Sequence, residues 1–298
     1  MKEAYFIAAI GTPLTEDEQL HEEGLVAQLQ DVWNAGMSGV LVAGTMGALQ
    51  LLTDETFHRL IERTVEVSKG KGELLAGASD AGFTRTRDRI RYLSQFPFDG
   101  IAVLAPYFWR FPQDRLVAYF QALADESPIP LYLYDLPPVV ITKLSLETVL
   151  ELSKHPNIHG VKASCDFEFT RQVRDRTPED FRVIAAQPNL MDVLLRHGAN
   201  EQLDGMWAVA PRWTIALGRC AAEGDWAGAA EYQRKITDLR NVFMSYSYGC
   251  FSDLMNARGI PGIFAPLPFA RMTKEDHDSL LAHPIVQQLV EEDPAQLG

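Results

Sequence analysis

The chain has 298 residues, 47% of them hydrophobic and 22% charged, with no repetitive or Pro/Ser-rich tract. Those proportions predict a packed globule and exclude a disordered or fibrous protein. Asp and Glu number 40 against 27 Lys and Arg, a formal charge of −13. No basic cluster offsets it, so a phosphate backbone would be repelled and nucleic acid is not expected as a partner.

The opening stretch, MKEAYFIAAIGTPLTEDEQL, holds one short apolar run before Gly, Pro and acidic residues intervene, too short for a secretion signal. The most apolar later stretch, GVLVAGTMGALQLL at 39–52, falls short of the roughly 18 residues of a spanning helix, so no membrane contact is expected. Cys165, Cys220 and Cys250 are odd in number and far apart, which fits a reducing cytoplasm better than a disulfide framework. Neither CxxC nor HExxH occurs among the three cysteines and seven histidines, so no metal site is expected from spacing.

Taken in chain order, apolar runs recur as YFIAAI (5–10), SGVLVAG (38–44), ELLAGAS (73–79) and DGIAVLA (99–105). They continue as IPLYLYD (129–135), IHGVKAS (158–164), FRVIAA (181–186) and DGMWAVA (204–210). Such continuous apolar segments are what strands buried on both faces of a parallel sheet look like. Between them lie amphipathic stretches. Leu25, Leu29 and Val32 share one helical face, and so do Phe57, Leu60, Ile61 and Val65.

Eight strand–helix units predict an α/β fold, a (β/α)8 TIM barrel, rather than an open six-stranded sheet, and no GxGxxG follows the first strand. After about Pro211 the pattern is helical to the end, interrupted by the Pro- and Gly-rich GIPGIFAPLPFA at 259–270. The expected organisation is a barrel over 1–220 and a C-terminal helical domain over 221–298.

A barrel of this kind keeps its active site at the C-terminal ends of the strands. Three polar residues stand there: Thr45 after the second strand, Tyr134 at the end of the fifth and Lys162 at the end of the sixth. Desolvation disfavours the charged form of an amine, and a neutral amine can attack a ketone to give an electron-withdrawing Schiff base. The competing reading of Lys162 is a salt bridge to Asp135 or Asp166, or a side chain that reaches solvent. Tyr134 can shuttle a proton if hydrogen bonds hold it beside the reacting atoms, or be a core tyrosine. The turn AGTMGAL (43–49), with Gly44 at its start, can present backbone N–H groups to a carboxylate or be an ordinary tight loop.

Taken together, GTMGALQLLTDE, YDLPP and GVKAS resemble the dihydrodipicolinate synthase and N-acetylneuraminate lyase family of class I aldolases. The resemblance runs from the opening AAIGTPLTED to the helical C-terminus. It implies a barrel with a C-terminal helical domain, a homo-oligomer (dimer or tetramer), and a small-molecule 2-oxo acid such as pyruvate as substrate. It also implies Lys162 as the Schiff-base lysine, Tyr134 as general acid/base, Thr45 as a relay hydroxyl, and no cofactor beyond the covalent lysine.

The departures from the family pattern are as informative. Met46 replaces the second hydroxyl of the turn, and Ala48 replaces a Glu. Phe108, in PYFWR, stands where the family has a tyrosine that reaches across the dimer interface. Val139 and Val140 occupy the stretch where true dihydrodipicolinate synthases carry an arginine for the aldehyde substrate's carboxylate. Trp207 is expected on the eighth strand, facing the substrate in place of a smaller aliphatic residue. With Gly44, Met46, Phe108 and Trp207 around the substrate, the expected function is a Schiff-base lyase or dehydratase acting on a 2-oxo acid, and not a true dihydrodipicolinate synthase. The alternative is a 2-oxo acid binding or regulatory protein without turnover.

Overall fold

The computed structural model describes residues 3–297. Eight strands, β1 (Tyr5–Ala9), β2 (Gly39–Val42), β3 (Glu73–Gly77), β4 (Gly100–Leu104), β5 (Leu131–Asp135), β6 (Ile158–Ala163), β7 (Arg182–Ala185) and β8 (Glu201–Asp204), pair in parallel and in sequence order. The sheet closes where Ile7 of β1 pairs with Leu203 of β8. The connecting helices are α1 (Glu22–Ala35), α2 (Asp54–Ser68), α3 (Phe83–Leu93), α4 (Gln113–Glu126), α5 (Leu146–Leu152), α6 (Phe167–Arg176) and α7 (Met191–Arg196). After β8 follow α8 (Met206–Val209), α9 (Pro211–Glu223), α10 (Trp226–Ser245), α11 (Cys250–Ala257), α12 (Lys274–Ala282) and α13 (Pro284–Glu292). Among these helices none is long and apolar enough to cross a membrane.

Side-chain alternation divides the barrel into two apolar layers. Ile7, Ala9, Leu41, Leu75, Ala102, Tyr132, Ile184 and Leu203 fill the interior. Their neighbours along the strands, such as Phe6, Val40, Leu74 and Val103, pack outward against the helices. The interior is crowded by Tyr132. A Cβ at Gly100 would lie 2.3 Å from its ring, so β4 passes that point only because residue 100 has no side chain.

The floor of the barrel is polar and fully paired. Arg182 bonds Glu73 at 2.5 and 3.1 Å, Glu201 at 2.6 Å and the Tyr132 hydroxyl at 2.8 Å. A second buried network ties the C-terminal helices to the barrel. Arg258 bonds Asp31 of α1 at 2.7 Å and Asp293 at 3.0 Å, while Arg212 bonds the same two carboxylates at 2.7 Å each. Asp293 also accepts from the N–H groups of Arg212 and Trp213, capping the first turn of α9. Residue 220, the expected domain boundary, lies inside α9, and the outer core runs from the strands through Leu217, Ile236 and Phe251 without a break.

The eighth strand differs from its expectation. It spans Glu201–Asp204, and the apolar MWAV that follows is the one-turn helix α8. The strand is disguised by polar residues with structural duties. Glu201 belongs to the floor, and the fully buried Gln202 spends its amide on the carbonyls of Met191 and Ala199. Trp207 therefore does not face a substrate from a strand. It is fully buried with its ring 6.3 Å from that of Phe6, on the outer side of β1. The inward residue near the end of β8 is Leu203.

Candidate active site

Lys162 is aimed by a register shift between β5 and β6. Leu131 pairs with Ile158, but Tyr132 pairs with Gly160, so His159 is skipped and left exposed. Without that extra residue the four positions of β6 that follow it would change face, because side chains alternate strictly along a strand. With it, Tyr134 and Lys162 are direct register partners on the inner face.

The pair is buried, each residue about 5% exposed. Lys162 Nζ lies 2.8 Å from Tyr134 Oη and 4.0 Å from the centroid of its ring. Neither salt bridge considered for Lys162 is present. Asp166 pairs with Lys143 at 3.3 Å and caps α6 through the Phe169 N–H, and Asp135 accepts from Leu144 N–H at 3.2 Å. The lysine amine is thus held by a phenol and by no carboxylate, an arrangement suited to proton transfer during attack on a carbonyl.

The turn after β2 folds tightly on itself. Gly47 and Leu49 donate to Gly44 O, Ala48 donates to Thr45 O, and Ala43 and Ala48 both lie at positive φ, near 50°. Left-handed alanines store strain, which the surrounding packing must hold. The amides of Thr45 and Met46 have no acceptor among the described residues, and Thr45 Oγ1 is buried without a partner. Thr45 does not bond Tyr134. The turn therefore presents two open N–H groups and a hydroxyl, the donor set a carboxylate needs.

Met46 sits where the turn meets β8 and the C-terminal helices. A Cβ at Gly205 would lie 2.7 Å from its sulfur, so glycine at 205 is what lets the thioether in. Its carbonyl accepts from Tyr248 Oη at 2.7 Å, and Tyr248 Oη lies 3.6 Å from the sulfur. Burial pushes the Tyr248 phenol up, with Tyr134 close enough to add to the effect. Sequence reasoning missed this residue. It also missed Asp204, whose carboxyl burial raises and whose neighbouring cations are Lys162 and Arg240.

Phe108 and Trp109 are 73% and 66% exposed, their rings edge to face at 5.4 Å, and Phe108 carries a positive φ of 92°. Phe108 is therefore not brought to Lys162 within this chain. Tyr107 is half-buried beside Gln50 and Asp80. Val139 is exposed and Val140 buried, so neither brings a charge to the mouth.

With the geometry established, comparisons with known proteins are specific. A family model described as the dihydrodipicolinate synthetase family matches residues 2–287. A 4-hydroxy-tetrahydrodipicolinate synthase of Exiguobacterium sp. is 30% identical over 276 residues, covering 92% of this chain and 94% of the relative. Among solved structures, YagE, a prophage protein of that family from E. coli K12 in complex with pyruvate, has a TM-score of 0.88 at 22% identity, covering 97% of this chain and 99% of its own. N-acetylneuraminate lyase from Mycoplasma synoviae has a TM-score of 0.85 at 19% identity, covering 99% of each chain. At those identities the structural matches establish the shared fold.

Proposed function

The chain belongs to the dihydrodipicolinate synthetase family, and from that premise we propose that it is a class I aldolase-type lyase or dehydratase acting on a 2-oxo acid through a Schiff base on Lys162. The observation that carries this reading is the buried Lys162–Tyr134 pair at 2.8 Å beside a turn with two open amides. The turn holds the carboxylate of pyruvate or a 4-hydroxy-2-oxo acid, and the amine attacks the adjacent ketone. The carbinolamine loses water as Tyr134 passes a proton to the departing hydroxyl, leaving a protonated Schiff base. That cation accepts the electron pair of the C3–C4 bond as the 4-hydroxyl is deprotonated, releasing an aldehyde and an enamine. In the dehydration variant the Schiff base instead loses a C3 proton, and the enamine so formed, with C3–C4 intact, expels the 4-hydroxyl, protonated as it leaves, as water. Protonation and hydrolysis return the lysine, so no other cofactor is needed.

Val139 and Val140 favour this reading over dihydrodipicolinate synthase activity. A missing bidentate Arg–carboxylate contact in a dry site is worth roughly a hundredfold in discrimination. The exposed Phe108–Trp109 pair supports a homo-oligomer in which a second copy covers that loop. A second reading, 2-oxo acid binding without turnover, is favoured by the unpartnered Thr45 hydroxyl, which leaves the proton relay short of a link.

Borohydride reduction with a panel of 2-oxo acids, followed by intact mass and peptide mapping, tests both. A mass increment on Lys162, absent in Lys162→Ala, supports the Schiff base, and release of aldehyde or water from 4-hydroxy-2-oxo acids selects lyase over binding protein. No increment with any acid, from folded protein, sinks both readings.

A further inference from the structure

Every carbonyl from Gly44 to Gly47, in the turn after β2, has a partner. Gly44 O accepts from Gly47 and Leu49, and Thr45 O from Ala48, all within the turn. Gly47 O accepts from the buried Thr12 hydroxyl at 2.7 Å, and Met46 O from Tyr248 Oη at 2.7 Å. The amides are treated differently, since those of Thr45 and Met46 stay open among the described residues. Of residues 43–49, only Thr45 and Met46 keep partial exposure. The donors left over thus belong to the two residues that a ligand can reach.

Two of the four anchored carbonyls are held from outside the turn, and strain gives those bonds a task. Ala43 and Ala48 hold left-handed φ values of 53° and 51°, a conformation that persists for a residue with a Cβ only where the surroundings fix it. Thr12 ties the turn to the loop after β1, and Tyr248 ties it to the C-terminal helices. The peptide between Met46 and Gly47 is gripped at both ends, its carbonyl by Tyr248 and its N–H by Gly44 O. Releasing one end frees that plane to rotate and displaces the Met46 amide beside it.

The ring of Tyr248 is itself fixed. It stands between α10 and α11, 4.6 Å from the ring of Phe269 and edge-on to Phe243 and Phe251 at 6.0 and 5.9 Å. Burial keeps the phenol above its ordinary range, so the hydroxyl retains the proton it donates. A Cβ at Gly249 would lie 2.3 Å from Ala270 O, so the loop carrying Phe269 presses on the backbone next to Tyr248. That loop is tied back to the barrel where Leu267 N–H donates to Glu18 Oε1 at 2.6 Å.

Resting on the Schiff-base reading, we propose that Tyr248 is a positioning residue: through the Met46 carbonyl it holds the turn in the shape whose two open amides receive the carboxylate next to the ketone. The C-terminal helices, which lend no side chain to the Lys162–Tyr134 pair, thereby set the preference for a 2-oxo acid over its uncharged amide. Charge-assisted bonds from two fixed N–H groups favour the carboxylate, and that advantage depends on the amides staying aligned.

The test is borohydride trapping over a range of concentrations of pyruvate and of its uncharged analogue pyruvamide, with wild type, Tyr248→Phe and Phe269→Ala, each shown to be folded by thermal melting. In Tyr248→Phe the pyruvate concentration for half-maximal labelling of Lys162 is expected to rise about fivefold, the worth of one hydrogen bond, while the maximal labelling rate holds. Labelling by pyruvamide should shift much less. Phe269→Ala keeps the hydroxyl and removes the ring behind it, and should move pyruvate in the same direction by a smaller factor. An equal loss for acid and amide in Tyr248→Phe, a fall in maximal rate without a shift in half-saturation, or no change at all overturns the proposal. Failure of every 2-oxo acid to label wild type overturns the Schiff-base reading instead.

Discussion

At the floor of the barrel the guanidinium of Arg182 is surrounded by Glu73, Glu201 and the Tyr132 hydroxyl, all within 3.1 Å. Toward the C-terminal ends of the strands, Thr45 Oγ1, Gln187 Oε1 and Asp135 Oδ2 are buried without partners, as is Gln202 Oε1 on β8. An unsatisfied buried polar atom costs about 1–3 kcal/mol, so the open Thr45 hydroxyl at the strand ends contrasts with the Arg182 guanidinium, which is ringed by acceptors. The floor holds strands together, and the mouth keeps hydrogen-bonding capacity in reserve for a ligand. Changes at the two ends should therefore separate, one set altering turnover and the other altering stability.

The largest expected effect lies at the mouth. Tyr134→Phe keeps the ring that flanks the lysine and removes the phenol 2.8 Å from Nζ. Steady-state kinetics should show kcat reduced by about 10²- to 10⁴-fold with little change in KM. An unchanged kcat would take Tyr134 out of the mechanism. At the floor, Arg182→Met leaves Glu73 and Glu201 facing each other without a cation and should lower stability by about 3 kcal/mol. Urea unfolding measures this, and a large loss of kcat in the folded variant would erase the contrast between the two ends.

Tyr248→Phe probes the contact between the C-terminal helices and the turn. Loss of one hydrogen bond of about 1 kcal/mol should raise KM for the 2-oxo acid by about fivefold while altering kcat less. An equal fall in kcat would instead make Tyr248 part of the proton path. The smallest effect is expected from Asp135→Asn. Burial raises the Asp135 pKa in the folded state, so the stability it contributes is present below the unfolded value near 3.9 and is lost as pH rises through the folded one. The amide should therefore stabilise at neutral pH by up to about 1 kcal/mol. That gain should vanish at acid pH, and a gain independent of pH would locate its origin elsewhere.

Seven strands were legible because buried parallel strands read as unbroken apolar runs, and Lys162 and Tyr134 stood out as polar residues ending two of them. The eighth was not, because Glu201 and Gln202 serve the floor and the helix contacts while the apolar run after Gly205 coils into α8. Misplacing that strand misplaced Trp207. Phe108 was expected near the substrate, but the path of a loop and its exposure are set by tertiary geometry that a local motif does not carry. Tyr248, on the turn between α10 and α11, lies more than 70 residues after the lysine, beyond the reach of any motif around a strand end. His159 left a trace, a polar residue inside an apolar run, whose skipped pairing turns Lys162 inward.

The sealed floor has a kinetic corollary. With Tyr132 filling the interior and Arg182 locked beneath it, the floor side of Lys162 is closed, and the mouth at the strand ends is the doorway for a ligand. Under the proposed reaction the fragment released by C–C cleavage lies nearer that doorway than the piece still covalently attached to the lysine. Departure is then ordered, fragment first and 2-oxo acid last. Product inhibition would carry the signature: the 2-oxo acid competes with the substrate for free enzyme, whereas the fragment inhibits noncompetitively.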